Sequence, residues 1–233
     1  MHEIKNSINW YLVKINKSIA VIEDFKLPAN HEEVRFQYSI LIESLFSLID
    51  YLEDKKVIFK NNKFDIEGRV KTEIGFDGGI IVDYMRELRN SIIHRGADPT
   101  SAGSVVNDRI VILAPEHIFS RHGSLMVKPN EVFLDKLIAI LDDALKNVTK
   151  FELRKLNALE ENNSSYINEL ALLLKSSPIP FHAPDEVKMM IKSFFENTSN
   201  DEFLSMATAM YNSSLANLIS NLSVRVNTQH LSY

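Results

Sequence analysis

Four long segments of the chain place apolar residues three or four positions apart, which is the spacing of one face of an α-helix. They cover residues 2–25, 30–52, 79–96 and 129–161. The first two follow each other closely, as the arms of an antiparallel helix pair do. An amphipathic helix buries its apolar face only by packing against a neighbour. The four segments therefore predict an all-α fold, a bundle of four or five helices.

Residues at the ends of these segments indicate where the helices begin and stop. Asn30 is a plausible N-cap of the second helix, with Glu33 three residues later as in a capping box. The third helix begins near Gly78 or Gly79, and Gly96 ends it, because many helices close on a left-handed glycine. Pro129 and Asn130 open the fourth helix. The predicted buried faces of the second and fourth helices are Val34, Tyr38, Leu41, Leu45, Leu48 and Leu52, and Leu134, Leu137, Leu141, Ala144, Val148 and Phe151.

Two stretches between the helices lack the helical period. Residues 55–77 contain Asn61-Asn62 and Gly68, and we predict a loop there, with a short hairpin at the Asn pair. Residues 104–115 and 124–129 have strand character, and we predict a small β-hairpin insertion laid over the bundle. Because the insertion follows the third helix directly, we expect it to shape the rim of any site at the end of that helix.

The last third of the chain differs in composition from the rest. Residues 162–233 are rich in Asn and Ser and poor in charge. We predict a helical domain at 1–161 and a C-terminal helical extension at 162–233. Short helices are expected at 166–175, 185–197, 201–212 and 214–224. Whether the extension docks on the bundle or forms a separate module is left open by the sequence.

Composition restricts the classes of function. The chain has 45 % hydrophobic and 24 % charged residues, as ordinary globular proteins do. It has no cysteine, which excludes disulfides, thiol nucleophiles and thiolate metal sites. No apolar run could cross a membrane and no secretory signal is visible, so we expect a cytoplasmic protein without a membrane partner. A net charge of −5 argues against a broad nucleic-acid-coating surface, so any RNA contact must be local.

The third helix carries the residues best suited to chemistry. On a helical wheel its apolar arc consists of Leu88, Ile81, Ile92, Met85, Val82 and Ile93. Arg89 falls inside that arc, where a guanidinium needs a carboxylate or a ligand anion because it cannot lose its charge. Asn90 and His94 are four residues apart and share a face at the edge of the arc, and Arg86 leads onto the same edge. The predicted helix thus brings a cation, an amide and an imidazole together at the boundary between its buried face and solvent.

The run Arg89-Asn90-Ser91-Ile92-Ile93-His94 resembles the Arg-x(4–6)-His signature of HEPN domains. That family has an all-α bundle, and the resemblance implies a metal-independent endoribonuclease without a cofactor, whose dimer surrounds a shared cleft with two such motifs. A broader likeness in helix order covers residues 1–151. Some HEPN toxins continue the signature as His-x-Tyr, whereas the residue here is Gly96, so regulation by modification of that Tyr is not supported.

The resemblance assigns roles to three residues of the motif helix, Arg89, Asn90 and His94. A ribose 2′-hydroxyl attacks its own adjacent phosphate, and His94 serves in the proton transfers, since imidazoles exchange protons near neutral pH. Arg89 clamps phosphate oxygens and Asn90 holds the imidazole or the phosphate. Arg86 and Arg95 are candidate contacts to RNA phosphates. Glu43 or Asp50, on the second helix, is a candidate to orient Arg89.

The spacing of the motif bears on assembly. Five residues turn an ideal helix by about 140°, so Arg89 and His94 diverge unless the helix end distorts or a second copy supplies one of them. A symmetric homodimer is the simpler solution. The resemblance also suggests a toxin or anti-phage role, with an antitoxin or another regulatory protein as a possible partner.

Two readings without catalysis remain open. His94 and Arg95, just before Gly96, could simply stabilise the C-terminal end of the helix through its dipole. Arg89 could simply pair with a carboxylate of the second helix. The protein would then be a helical adaptor that binds RNA or protein, or the inactive half of a two-component system. Elsewhere, His117 and His122 flank Arg121 in a predicted loop without a carboxylate to complete a metal site, which indicates exposed surface.

Overall fold

The structure is a computed structural model that describes residues 2–25, 30–55, 65–106, 109–120, 123–131, 133–176 and 184–228. The helices are α1 His2–Glu23, α2 His31–Asp54, α3 Ile66–Ile74, α4 Gly78–Arg95, α5 Leu134–Lys155, α6 Ser164–Ser176, α7 Asp185–Asn197 and α8 Asn200–Ser223. The strands are β1 Gly103–Val106, β2 Arg109–Ile112, β3 His117–Phe119 and β4 Leu125–Val127. The fold is therefore mostly helical with a small β insertion, as predicted.

The main core lies between α1, α2, α4 and α5, and α3 packs against its side. Every residue of the predicted α2 face is buried. On α5 the predicted face is buried up to Val148, but Phe151 is half exposed. This helix also ends at Lys155, not at 161, because the chain turns through Asn157, which has a φ of 53°.

The beginning of α2 matches the prediction only in part. Asn30 is the N-cap, and its side chain accepts the N–H of Glu32 at 3.0 Å. The predicted capping box is absent, because the Glu33 carboxylate accepts a hydrogen bond from the Gln37 amide at 2.8 Å instead. One orphan N–H of the helix is thus satisfied by Asn30 alone.

The stretch predicted as a loop at 55–77 contains a helix, α3. Its N-cap is Asp65, whose carboxylate accepts the N–H of Gly68. Ile66 and Val70 are buried in the main core. A helix of nine residues that buries two side chains leaves a weak periodic signal, and this explains the wrong prediction. The hairpin predicted at Asn61-Asn62 lies outside the described residues.

A close approach of backbones sets the angle between α3 and α4. A side chain at Gly78 would begin 1.9 Å from the carbonyl oxygen of Lys71 on α3. Only glycine fits there, so α4 can start directly against α3. This corner aligns the motif helix with the rest of the bundle.

The β insertion consists of two antiparallel hairpins, whereas one was predicted. Strands β1 and β2 pair within the first predicted stretch, so that stretch is a hairpin by itself. Strand β4 pairs with β3, which begins at His117 in a segment predicted as a loop. His117 is exposed there, and Arg121 and His122 lie outside the described residues. The β3–β4 hairpin packs beside α4.

The C-terminal extension docks on the bundle. The two helices predicted at 201–212 and 214–224 form one helix, α8, whose Leu218 and Leu222 enter the main core. The side-chain amide of Asn16 on α1 donates to the carbonyl of Asn221 at 3.0 Å. Helix α6 packs on α8 through a smaller core, formed by Ile167, Leu170, Ala207, Tyr211 and Leu215. Across the described ranges, no helix is both long and apolar enough to span a membrane.

Candidate functional site

The motif helix α4 is regular up to its last residue. Its last residue is Arg95, and Gly96 caps it with a φ of 65° and an N–H that donates to the carbonyl of Ile92 at 3.2 Å. The predicted helix end is therefore confirmed, and no distortion brings Arg89 and His94 onto one face. The buried face differs slightly from the predicted arc, because Tyr84 is buried and Ile93 is 43 % exposed.

Arg89 lies where α4 faces α2, with its side chain 22 % exposed. Its Nη2 is 3.8 Å from Oδ2 of Asp50, and its Nη1 donates to the Asn90 amide oxygen at 3.4 Å. Its Nε is buried and has no hydrogen-bond partner among the described residues. The guanidinium is thus held by one loose ion pair and one long hydrogen bond, with donor capacity left over.

Arg86 is bound more firmly than Arg89. Its Nη1 donates to Oδ1 of Asp50 at 3.2 Å, and its Nη2 lies 2.5 Å from Oε2 of Glu67 on α3. Its guanidinium carbon also sits 4.9 Å from the centre of the Phe46 ring. Arg86 therefore ties α4 to both α2 and α3. A phosphate would have to compete with two carboxylates for it.

Asn90 and His94 have different surroundings although both lie near the edge of the arc. The Asn90 amide nitrogen donates to Oε1 of Glu87 at 3.4 Å, so this side chain is engaged with Glu87 and Arg89 and not with the imidazole. His94 lies exposed in the last turn of α4. Its side chain makes no hydrogen bond or ion pair within the described ranges, and it is open to solvent.

Arg95 and Arg35 fix the surroundings of this helix end. Arg95 donates to the Ser91 hydroxyl at 2.5 Å and to the carbonyl of Ser120 at 3.0 Å, which joins α4 to the turn after β3. Arg35 on α2 donates to the Gly96 carbonyl at 3.1 Å. The β3–β4 hairpin therefore borders the end of the motif helix, where we expected a rim.

The two candidate supporting carboxylates lie on the same face of α2. Asp50 contacts both arginines, as described above. Glu43 is exposed seven residues earlier, two helical turns or about 10 Å along the axis. It makes no ion pair in the described part of the chain. Sequence reasoning missed Glu67 and Arg35, since Glu67 fell in a predicted loop and Arg35 reaches this helix end through the backbone carbonyl of Gly96.

The described residues contain no group of three or more His, Asp or Glu side chains placed to hold a metal ion. The site thus consists of the arginines, an amide and an imidazole, with Asp50, Glu67 and Glu87 around them. Comparisons with protein-family models, with curated proteins and with solved structures give no match to this chain.

Proposed function

We propose that the protein is a cytoplasmic, HEPN-like endoribonuclease that cleaves RNA without a metal ion, with Arg89 and His94 as catalytic residues. The observation that carries this proposal is that the Arg89 guanidinium is only loosely paired. This guanidinium is largely buried, one of its nitrogens has no partner in the described part, and the carboxylate that pairs with it there, Asp50, lies 3.8 Å away. A largely buried guanidinium with unused donors suits a bidentate anion such as a phosphate.

The proposed reaction needs only groups present at this helix end. The 2′-hydroxyl gives up its proton and its oxygen bonds to phosphorus, the bond from phosphorus to the 5′-oxygen breaks, and that oxygen takes a proton. His94 performs the proton transfers from its exposed position. Arg89 stabilises the charge on the phosphoryl oxygens, and Asn90 positions the Arg89 guanidinium, which donates to its amide oxygen at 3.4 Å.

The active form is proposed to be a homodimer. Because α4 stays regular to Arg95, Arg89 and His94 of one chain diverge, and a second copy supplies the missing half of each site. Exposed apolar residues stand next in sequence to residues that form or contact this end of α4. Ile93 precedes His94, Phe36 follows the Arg35 that holds Gly96, and Phe119 precedes the Ser120 that holds Arg95. A monomer gains nothing from exposing such a rim, whereas a dimer would bury it.

A toxin or anti-phage role follows from the resemblance, as does a neutralising protein partner. A second candidate function is a non-catalytic adaptor. It is favoured by Arg86, which is already neutralised by Asp50 and Glu67, and by exposed apolar residues on α7, Met189, Met190 and Phe194. An adaptor of this kind would bind RNA or a protein and leave it intact.

Incubation of the purified protein with total RNA in excess EDTA separates the two functions. The nuclease is expected to shorten RNA and to leave 2′,3′-cyclic phosphate and 5′-hydroxyl ends. Cleavage that stops in EDTA and returns with a divalent ion would contradict the proposed mechanism. RNA that is bound but stays intact would leave the adaptor as the better account.

A further inference from the structure

A groove of about 620 Å³ lies between α3 and α5, apart from the motif. Its lining includes Arg69 and Thr72 of α3 and Lys150, Phe151 and Arg154 of α5. Nothing in the proposed chemistry at Arg89 and His94 uses it. Its residues combine cations with an aromatic ring, which is a combination suited to an anionic, planar ligand.

Two of the cations in this groove are uncompensated. The side chains of Lys150 and Arg154 make no ion pair or hydrogen bond with any described residue. Two carboxylates lie nearby. Glu73, which also lines the groove, accepts from the neutral Asn147 amide at 3.2 Å and keeps its negative charge. The fully buried Glu152 pairs with Arg69 and lies 3.4 Å from the Lys155 ammonium, so the cations of the lining still outnumber its carboxylates. The groove therefore carries a local positive charge in a protein whose net charge is −5.

The ring of Phe151 is 51 % exposed and contacts two further cations, Arg69 and Lys155. The Arg69 guanidinium carbon is 5.0 Å from the ring centre and the Lys155 ammonium is 4.5 Å from it. Arg69 is anchored by the buried Glu152, whereas the Lys155 side chain is more exposed. A planar group that stacks on Phe151 would therefore displace Lys155 rather than Arg69.

We propose that this groove binds single-stranded RNA, with a base stacked on Phe151 and the flanking phosphates on Lys150 and Arg154. The inference rests on the proposed function, because it assigns the groove to the same substrate and makes it a second contact outside the catalytic site. Helix α3 connects the two places. Its Glu67 holds Arg86 of the motif helix and its Arg69 lines the groove, so a bound strand crosses one helix to pass between them.

Binding is measured by fluorescence anisotropy with a labelled 2′-O-methyl oligouridylate of about twelve nucleotides, a length that spans such sites. This probe lacks the attacking hydroxyl, so cleavage cannot disturb the measurement. Lys150→Gln/Arg154→Gln is compared with Lys14→Gln/Lys17→Gln, which removes the same charge from exposed positions on α1. Thermal unfolding by circular dichroism confirms that both variants are folded.

Loss of two phosphate contacts should make the slope of log affinity against log salt about 1.4 units shallower in the groove variant, while the α1 control keeps the wild-type slope. Phe151→Ala should weaken binding at least about fivefold, since stacked bases contribute that much or more. Phe151→Leu keeps an apolar side chain but no ring, and it should weaken binding as Ala does. Wild-type slope and affinity in these variants would overturn the proposal. So would uridine monophosphate competing as well as unlabelled oligonucleotide, since that indicates a nucleotide pocket.

The proposal for the groove and the proposal for the catalytic site can be refuted separately. A wild-type protein that leaves RNA intact but binds the probe through Lys150, Phe151 and Arg154 would refute the nuclease and keep the groove. A protein that cleaves RNA while its groove variants bind normally would refute the groove alone.

Discussion

Nη2 of Arg89 on α4 lies 3.8 Å from Oδ2 of Asp50 on α2, and the Asp50 side chain is 47 % exposed. An ion pair of this length and exposure contributes no more than about 1 kcal/mol. Asp50 therefore orients the Arg89 guanidinium without using up its capacity to bind an anion. Under the proposed function this leaves Arg89 able to bind phosphate, since an incoming phosphate can compete with a loosely held carboxylate.

Replacement of Arg89 by Leu distinguishes a catalytic from a structural role. Because the Asp50 pair is weak and the surrounding arc is apolar, Arg89→Leu should change the free energy of unfolding by less than about 1 kcal/mol. Cleavage should be lost, and RNA affinity should fall but not vanish, because the groove between α3 and α5 remains. Urea unfolding, anisotropy and a cleavage assay measure the three quantities. A folded variant that still cuts RNA would favour the structural role.

Asp50 and Glu43 offer a matched pair of variants on one face of α2. Asp50→Asn removes the carboxylate that holds Arg89 and Arg86, so kcat should fall about tenfold through loss of orientation while KM does not rise. Glu43→Gln removes an equal charge two turns away and should leave both constants unchanged. Equal effects of the two variants would show that Asp50 acts only through the general charge of the surface.

Mixing of inactive subunits tests the shared site. If each site takes Arg89 from one chain and His94 from the other, a mixture of Arg89→Leu and His94→Ala proteins contains heterodimers with one intact site. With random exchange, half of the dimers are mixed, and activity should recover to about a quarter of wild type. Sedimentation should show a dimer throughout. A mixture that stays inactive, or a fully active monomer, would refute the composite site.

The pH dependence of stability should report a buried carboxyl group. Burial raises the pKa of Asp135 from about 3.8 to about 6, although the Tyr38 hydroxyl donates to it. Because the folded protein binds this proton more tightly than the unfolded chain, Asp135 contributes its full stabilisation below pH 3.8. This stabilisation is lost as the pH rises to about 6. The loss amounts to about 3 kcal/mol.

The measurement is urea unfolding between pH 4 and pH 7. Asp135→Asn mimics the protonated form. The wild type should therefore lose about 3 kcal/mol of unfolding free energy, relative to this variant, as the pH rises. Asp24→Asn, at an exposed position on the chain, should keep the wild-type dependence. Parallel curves for wild type and Asp135→Asn would contradict the assignment to Asp135.

The parts of the site that lie on one helix were the predictable ones. The helical spacing of apolar residues along α4 and the end of the helix at Gly96 depend on local geometry. The position of Arg89 on the apolar face of α4 could therefore be inferred. Asp50 was also within reach, because α2 has a strong period and faces α4. Such regularities survive in a single sequence because a helix repeats the same relationship every turn.

The rest depends on contacts between distant parts of the chain. Glu67 reaches Arg86 from a helix too short to give a periodic signal, and Ser120 reaches Arg95 from a turn between strands of three residues. The joining of two predicted helices into α8 follows from its packing on α1, where Asn16 meets Asn221. Side-chain partners of this kind depend on the angles at which helices cross, and the sequence of a single segment does not determine those angles.

The central claim is that His94 takes part in metal-independent cleavage, and the most direct measurement is the rate of RNA cleavage in excess EDTA by the wild type and by His94→Ala. His94 is exposed and has no partner in the described part of the chain, so the substitution should leave the circular-dichroism spectrum and the unfolding midpoint unchanged. We expect the wild type to produce 2′,3′-cyclic phosphate ends and the variant to lose at least about a hundredfold in rate, as removal of a general acid or base does. Equal rates for the two proteins in EDTA would contradict the claim.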